Sequence, residues 1–173
     1  MKRIGIGFTG NHDSIDTYVE GAEYAESNGF DSVWFAEDYF LRDTMSTQSV
    51  VAHETDAIDI GLFFNAYTRN PALTAMSVAA VDEIADGRVK VAMGAGVPST
   101  LERILEFTNP LETIPEAVDV IRRLLDEDSV THEGRHFGLE GTTLGHCPYL
   151  SYGGEFHAPR SEVPIHIAAI GPQ

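Results

Sequence analysis

The sequence predicts an α/β fold built on a parallel sheet. Strand-like and helix-like segments alternate at roughly 25–30 residues per unit, which is the βα repeat of such sheets. Residues 58–64 form a nearly unbroken apolar run, as expected of a strand covered on both faces. Doubly wound sheets and eight-stranded barrels share this repeat, but a closed barrel typically needs about 250 residues. If the fold is a barrel, the 173 residues hold only its first half or so.

Five strands and about four helices are predicted within one domain, residues 1–173. The strands are expected at residues 3–8, 32–36, 58–64, 89–93 and 163–170. The helices are expected at about residues 14–28, 46–54, 71–86 and 115–126. The third helix has the clearest signature, because Asn70 caps it, Pro71 takes its first position and Gly87 ends it.

An insertion of about residues 129–161 precedes the fifth predicted strand. Residues 130–139 are typical of a hairpin that turns at Glu133 and Gly134. Residues 141–160 are rich in Gly, Pro, Ser and Tyr, so we predict no regular element there.

Charge limits the partners that the chain can take. It carries 27 acidic residues against 11 Lys and Arg, a net charge of −16. Such a field disfavours nucleic acid and anionic membranes, and it keeps a protein soluble at high salt, so we hypothesise a halophilic source. No apolar run is long enough for a transmembrane helix, the first residues do not resemble a signal peptide, and Cys147 is the only cysteine. These features favour a cytoplasmic protein.

No metal site is predicted from the seven histidines. His132 and His136 are four residues apart, but they flank Gly134 in the predicted hairpin, which is not the helical pair of a zinc site. A structural or solvated role is the expectation for all seven.

The stretch 29–43, GFDSVWFAEDYFLRD, is the first candidate for a site. A short apolar strand ends there in two adjacent carboxylates, Glu37 and Asp38, followed by aromatic residues and Arg42. Ligands of parallel α/β folds bind beyond the carboxyl ends of the strands. The alternative is a strand followed by an ordinary solvated loop.

Four motifs, taken together, resemble the bacterial luciferase-like family of flavin- and deazaflavin-dependent oxidoreductases. They are residues 29–43, residues 63–88 with NAYTRNP, VAMGAG at 91–96, and residues 116–137 closing with VPIHIAAIGP at 163–172. The resemblance is strongest to the coenzyme F420-dependent branch that includes methylenetetrahydromethanopterin reductase. It covers essentially the whole chain, but only the N-terminal half of the family fold.

The resemblance implies a partial (β/α)8 TIM barrel with an insertion before strand five. It also implies a cofactor, coenzyme F420 or FMN, at the carboxyl ends of the strands. The ring of that cofactor would stack on a bulge at Leu62 and Phe63, which relatives often build with a non-prolyl cis peptide. Leu62 replaces the usual small residue, which weakens the expectation of a cis bond.

The resemblance also assigns site residues. Glu37 matches an acid near the reacting ring, whereas Asp38 stands where relatives keep a His. Asp38 is therefore an acid/base, a polar wall or a solvated loop acid. Cofactor contacts are implied for Asn65 and Thr68 after the third strand. Backbone contacts are implied for the loop of Gly94, Ala95 and Gly96.

The implied function is hydride transfer between F420 or FMN and a small organic substrate, as in reductases and monooxygenases of the family. The substrate itself does not carry over, because relatives that bind a pterin or a sugar phosphate carry carboxylates where this chain has Gly7 and Val97. The alternative is a catalytically incomplete half-barrel that binds flavin or acts as a subunit. Exposed sheet edges would then favour a homodimer or pairing with a C-terminal half.

Overall fold

A computed structural model describes residues 3–11, 14–147, 149, 154 and 156–169. In chain order the elements are β1 Gly5–Phe8, α1 Ile15–Ser27, β2 Ser32–Phe35, α2 Thr44–Glu54, β3 Asp59–Asn65, α3 Pro71–Ile84, β4 Val89–Gly94, α4 Pro98–Leu101, α5 Pro110–Asp126, β5 Val130–Glu133, β6 Gly138–Thr142 and β7 Ile165–Ile167. Within those described ranges, no helix has the length and apolar character needed to cross a bilayer.

One parallel sheet organises the chain. Its strand order is β1-β2-β3-β4-β7, and every pairing between neighbours is parallel. The helices that connect the strands lie along the sheet, which confirms the predicted βα repeat. Because parallel strands run in one direction, their carboxyl ends meet at the same edge.

The core lies between the sheet and the helices. Alternate strand residues such as Val33, Ile60 and Val91 are fully buried on the helix side. The opposite face is more open, and there the Trp34 indole lies over Gly61, where an added Cβ would overlap the ring. The glycine in the middle of β3 is therefore explained by this close approach.

The amino ends of the strands are closed by two charged side chains. Glu26 accepts hydrogen bonds from the N–H groups of residues 56–58. The Arg88 guanidinium donates to the carbonyls of Ala52, Thr55, Ile58 and Ala85 and to the Thr55 hydroxyl. These backbone polar groups at the amino ends of the strands therefore form hydrogen bonds within the protein.

The implied bulge at Leu62 and Phe63 is wrong. All peptide bonds of the described residues are trans, and β3 pairs with β4 without a register shift from Ile60 to Asn65. The Leu62 side chain is fully buried in the core. A regular strand keeps it there, whereas an extra residue would disturb the alternation of faces.

The fifth strand of the sheet differs from its prediction. A buried strand was expected at residues 163–170, but β7 is three residues long and mostly exposed. It lies at the edge of the sheet, and Ile167 is 55% exposed, since among the described elements β7 packs mainly against β4. Ile170 lies outside the described residues.

The helix before the insertion begins earlier than expected. The predicted start at Pro115 is wrong, because α5 begins at Pro110, where the Asn109 side chain accepts a hydrogen bond from the Leu111 N–H. This is the same Asn-Pro signature that opens α3. Pro115 lies inside the helix, and the short helix α4 was not predicted.

The insertion contains the predicted hairpin and packs on the rest of the fold. Strands β5 and β6 pair antiparallel. The Glu116 carboxylate of α5 accepts hydrogen bonds from the N–H groups of His136 and Phe137. Although burial acts in the opposite direction, these hydrogen bonds lower the pKa of Glu116. Much of the region from 148 to 155 lies outside the described residues.

Candidate functional site

The carboxyl ends of β2, β3 and β4 bring together most of the predicted polar residues. Glu37 and Tyr39 follow β2, Asn65 ends β3, and Thr68 lies in the next turn. Gly96 follows β4. We call this set (Glu37, Tyr39, Asn65, Thr68 and Gly96) the strand-end cluster. It lies at the edge opposite to the one that Glu26 and Arg88 close.

Asn65 is the centre of the strand-end cluster. Its Oδ1 accepts hydrogen bonds from the N–H groups of Tyr67, at 3.0 Å, and Thr68, at 2.9 Å. Its Nδ2 donates to Glu37 Oε2 and to Tyr39 Oη, both at 3.2 Å. An amide side chain offers two donors and two acceptor positions, so the bonding capacity of Asn65 is filled. Asn65 is only 3% exposed and therefore positions the other residues.

Glu37 is the acid of the cluster. Its Oε2 also accepts a hydrogen bond from Thr68 Oγ1 at 3.2 Å. Burial raises the pKa of Glu37, while Thr68 and the nearby Arg69 act against that rise. A carboxyl group that keeps its proton more readily than an exposed one is suited to acid/base work near neutral pH.

Asp38 does not join the cluster. Its Oδ2 accepts a hydrogen bond of 2.6 Å from the Gly10 N–H, which ties the end of β2 to the loop after β1. The three alternatives for Asp38, an acid/base, a polar wall or a solvated loop acid, did not include this role in tying two loops together. The two adjacent acids thus make different contacts, Glu37 with Asn65 and Thr68, and Asp38 with the loop after β1.

Sequence reasoning missed Tyr39. Its hydroxyl accepts hydrogen bonds from Asn65 Nδ2 at 3.2 Å and from the Val97 N–H at 3.4 Å. Gly96 makes room for it, since Gly96 has φ +69° and an added Cβ would overlap the Tyr39 hydroxyl. The signal was a Tyr beside two acids, but only the strand register shows that Tyr39, rather than Phe40, meets Gly96. Phe40 is 78% exposed.

The remaining predicted cofactor residues divide between the two faces of the sheet. The Leu62 side chain lies in the core, so only its backbone is available to a ligand. Phe63 lies on the open face, and its ring atoms would be 3.4 Å from a Cβ added at Gly94. Ala95 is half-buried in the loop that follows.

These residues fit a flat heteroaromatic ring. Phe63 on the open face, with Gly94 against its ring, would form an apolar floor, and the strand-end cluster places polar groups at the carboxyl ends of the same strands. An added Cβ at Gly7 would meet nothing within 4 Å, so space is open over the end of β1. Apolar walls with a few convergent polar groups are typical of cofactor sites. Among the described residues, no group of three or more potential ligands has the arrangement of a metal site.

The fold and the site together define a class: a βα sheet of barrel type with a polar site at the carboxyl ends of its strands. Comparison with known proteins makes this specific. The family model described as luciferase-like monooxygenase matches residues 3–173, and the chain belongs to that family.

Curated relatives include reductases and dehydrogenases. The chain is 34% identical to 5,10-methylenetetrahydromethanopterin reductase of Archaeoglobus fulgidus, over 99% of this chain and 48% of that protein. It is 28% identical to F420-dependent glucose-6-phosphate dehydrogenase of Amycolatopsis mediterranei, over 99% of this chain and 53% of that protein.

A solved structure shares the fold. The coenzyme F420-dependent tetrahydromethanopterin reductase of Methanopyrus kandleri superposes with a TM-score of 0.84 at 24% identity, over 98% of this chain and 50% of that one. The predicted partial barrel is confirmed by this likeness. The chain spans about half the length of the curated relatives it matches.

Proposed function

We propose that this protein is an oxidoreductase that moves a hydride between coenzyme F420, or FMN, and a small organic substrate. The observation that carries the proposal is the strand-end cluster, a half-buried acid and a half-buried phenol held by Asn65 near the apolar ring of Phe63. Relatives that are named as F420-dependent enzymes support the choice of cofactor.

The residues of this chain would bind the ring and manage protons, while the bound ring supplies hydride exchange. Phe63 and the backbone of Gly94, Ala95 and Gly96 would contact the ring. Glu37 would hold or release a proton at its free Oε1, which has no hydrogen-bond partner among the described residues. Because burial raises the pKa of Glu37, this carboxyl group holds its proton more readily than an exposed one and is suited to proton transfer.

The substrate class follows less directly from the site. Gly7 and the exposed Val97 offer no charged side chain at the mouth of the cluster. We therefore propose a small organic substrate that does not need a charged partner at these two positions. The net charge of −16 supports neither nucleic acid nor an anionic membrane as a partner, and we keep a cytoplasmic location as part of the proposal.

A fluorescence titration tests the function. The chain should quench F420 or FMN fluorescence in molar KCl, either alone or mixed with the carboxyl-terminal half of the Archaeoglobus fulgidus reductase. Asn65→Ala should weaken the affinity about tenfold or more, because it removes the hydrogen bonds that hold Glu37 and Tyr39. Asn28→Ala is the matched control, since Asn28 lies at the far end of α1. If the chain quenches neither fluorescence, alone or with the added carboxyl-terminal half, the proposal is contradicted.

A second candidate is a subunit that gains its site by pairing. The two edge strands of the described sheet, β1 and β7, have free backbone groups on their outer sides, and such edges recruit further strands. The partner would be a second copy or a carboxyl-terminal half. Trp34, the only tryptophan, lies on the open face and reports this event. A blue shift of its emission together with a doubled mass by light scattering would support pairing, and an unchanged mass at high protein concentration would exclude a homodimer.

A further inference from the structure

The Tyr39 hydroxyl has an unusual hydrogen-bond state. A phenol oxygen can accept at two positions and donate one proton. Both accepting positions are used, one by Asn65 Nδ2 at 3.2 Å and one by the Val97 N–H at 3.4 Å. Among the hydrogen bonds of the described residues, none takes the Tyr39 proton. The hydroxyl is therefore forced to act as a donor to whatever lies in front of it.

The two N–H groups also fix where that proton points. Three other hydrogen bonds, to Glu37, Tyr67 and Thr68, hold the Asn65 side chain, and Val97 is part of the backbone that follows β4. The phenol thus has rigid neighbours on two sides and little freedom to turn. Burial raises the pKa of Tyr39, and the negative charges of Glu37 and Asp38 add to the rise, so the proton stays on the oxygen at neutral pH.

The Tyr39 hydroxyl lies on the open face of the sheet, because it contacts Asn65, whose side chain shares a face of β3 with Phe63 two residues earlier. It is half-buried between the ends of β2, β3 and β4, against Gly96. Gly96 has φ +69°, and an added Cβ would overlap the hydroxyl. Position 96 therefore needs glycine for the backbone and for the approach of Tyr39.

We propose that Tyr39 donates a hydrogen bond to an acceptor atom of the bound ring, a carbonyl oxygen or a ring nitrogen, and that Asn65 is the positioning residue that aims it. This inference rests on the proposed function. It assigns a ligand-binding role to Tyr39. Asn65, for which the resemblance implied a cofactor contact, becomes the residue that positions Tyr39. A fixed donor at an acceptor of the ring also favours the more electron-rich form of that ring.

Tyr39→Phe tests the donor directly. It removes the hydroxyl and keeps the ring of the side chain. The Kd for F420 and FMN should rise about three- to tenfold, which is the effect of one hydrogen bond. The visible absorption maximum of the bound cofactor should shift as well, which a purely structural role would not cause. Tyr24→Phe makes the same chemical change at a 70% exposed position on α1 and should alter neither quantity.

Gly96→Ala gives a second, independent test. The new Cβ would push the Tyr39 hydroxyl away, so it should reproduce the loss of affinity and the spectral shift. In the Tyr39→Phe background, Gly96→Ala should cause no further spectral shift. If wild type binds a cofactor and Tyr39→Phe matches it in affinity and spectrum, this inference is overturned and the function stands. If wild type binds neither cofactor, alone or with the added half, both fall.

Discussion

Glu37 shows how one residue gains a function from its surroundings. The neighbouring Asp38 has the same chemical group, but it bonds the Gly10 N–H, whereas Glu37 lies beside Asn65 and Thr68. Burial raises the pKa of Glu37 above its ordinary value of 4.5. Ionised Glu37 therefore lowers the free energy of unfolding at neutral pH. Functional sites that need a half-buried acid often carry such a loss of stability.

Glu37→Gln should leave the protein at least as stable as wild type at pH 7. The pKa of Glu37 is higher in the folded protein than in the unfolded chain, where it has its ordinary value of 4.5. Ionising Glu37 therefore destabilises the folded state at pH values above 4.5, and this destabilisation vanishes below pH 4.5, where the carboxyl group is protonated in both states. The difference in Tm between variant and wild type should thus shrink as the pH falls from 7 to 4. A variant that is much less stable than wild type at every pH would show that the carboxylate instead supports the fold.

At the scale of elements, an ion pair between Asp82 and Arg160 helps to hold the end of the insertion against α3 and β4. Asp82 on α3 is completely buried, and it accepts hydrogen bonds from Arg160 Nε at 2.8 Å and Nη2 at 3.0 Å. Asp82 also accepts from the Val89 N–H, and Arg160 donates to the Val89 carbonyl. The end of the insertion is thereby fixed to the start of β4.

Arg160→Ala should lower the free energy of unfolding by about 3–5 kcal/mol, because it leaves the buried Asp82 carboxylate without its counter-charge. Urea denaturation measures the change. Arg123→Ala is the matched control, since the Arg123 side chain has the same 31% exposure but its partner Glu127 is 40% exposed. The control should change little. Equal losses in the two variants would mean that burial of Asp82 is irrelevant.

The order and type of the sheet elements were predictable because each has a strong local signal. The Asn70-Pro71 cap and the apolar run at 58–64 are such signals. Contacts between distant residues were not predictable. No pattern in the neighbouring sequence indicates that Tyr39 packs against Gly96, or that all hydrogen bonds of the Asn65 side chain are made within the protein. The exposure of the last strand was also predicted wrongly. The apolar residues at 163–170 predicted a buried strand, whereas β7 lies at the edge of the sheet and is mostly exposed.

At the scale of the whole molecule, charge dominates. The chain has a net charge of −16 and only two lysines, and self-repulsion of this size destabilises a compact state. Molar salt shortens the screening length to about 3 Å and removes most of that repulsion. These numbers support our hypothesis of a halophilic source.

The Tm, followed by circular dichroism, should therefore rise steeply between dilute buffer and roughly 2 M KCl. Sucrose of the same osmolality is the control, because it stabilises by exclusion from the protein surface and not by screening. An equal Tm in dilute buffer and KCl, or an equal rise in sucrose, would count against the charge-based account.

The central claim is that the ligand binds at the carboxyl ends of β2, β3 and β4. Amide chemical-shift mapping of the isotope-labelled chain, titrated with F420 or FMN in high salt, tests it most directly. We predict that the amides of Thr68 and of the loop Gly94, Ala95 and Gly96 shift, while those of residues 56–58 at the opposite edge stay in place. Shifts confined to the hairpin of β5 and β6, or to residues 56–58, would contradict the claim.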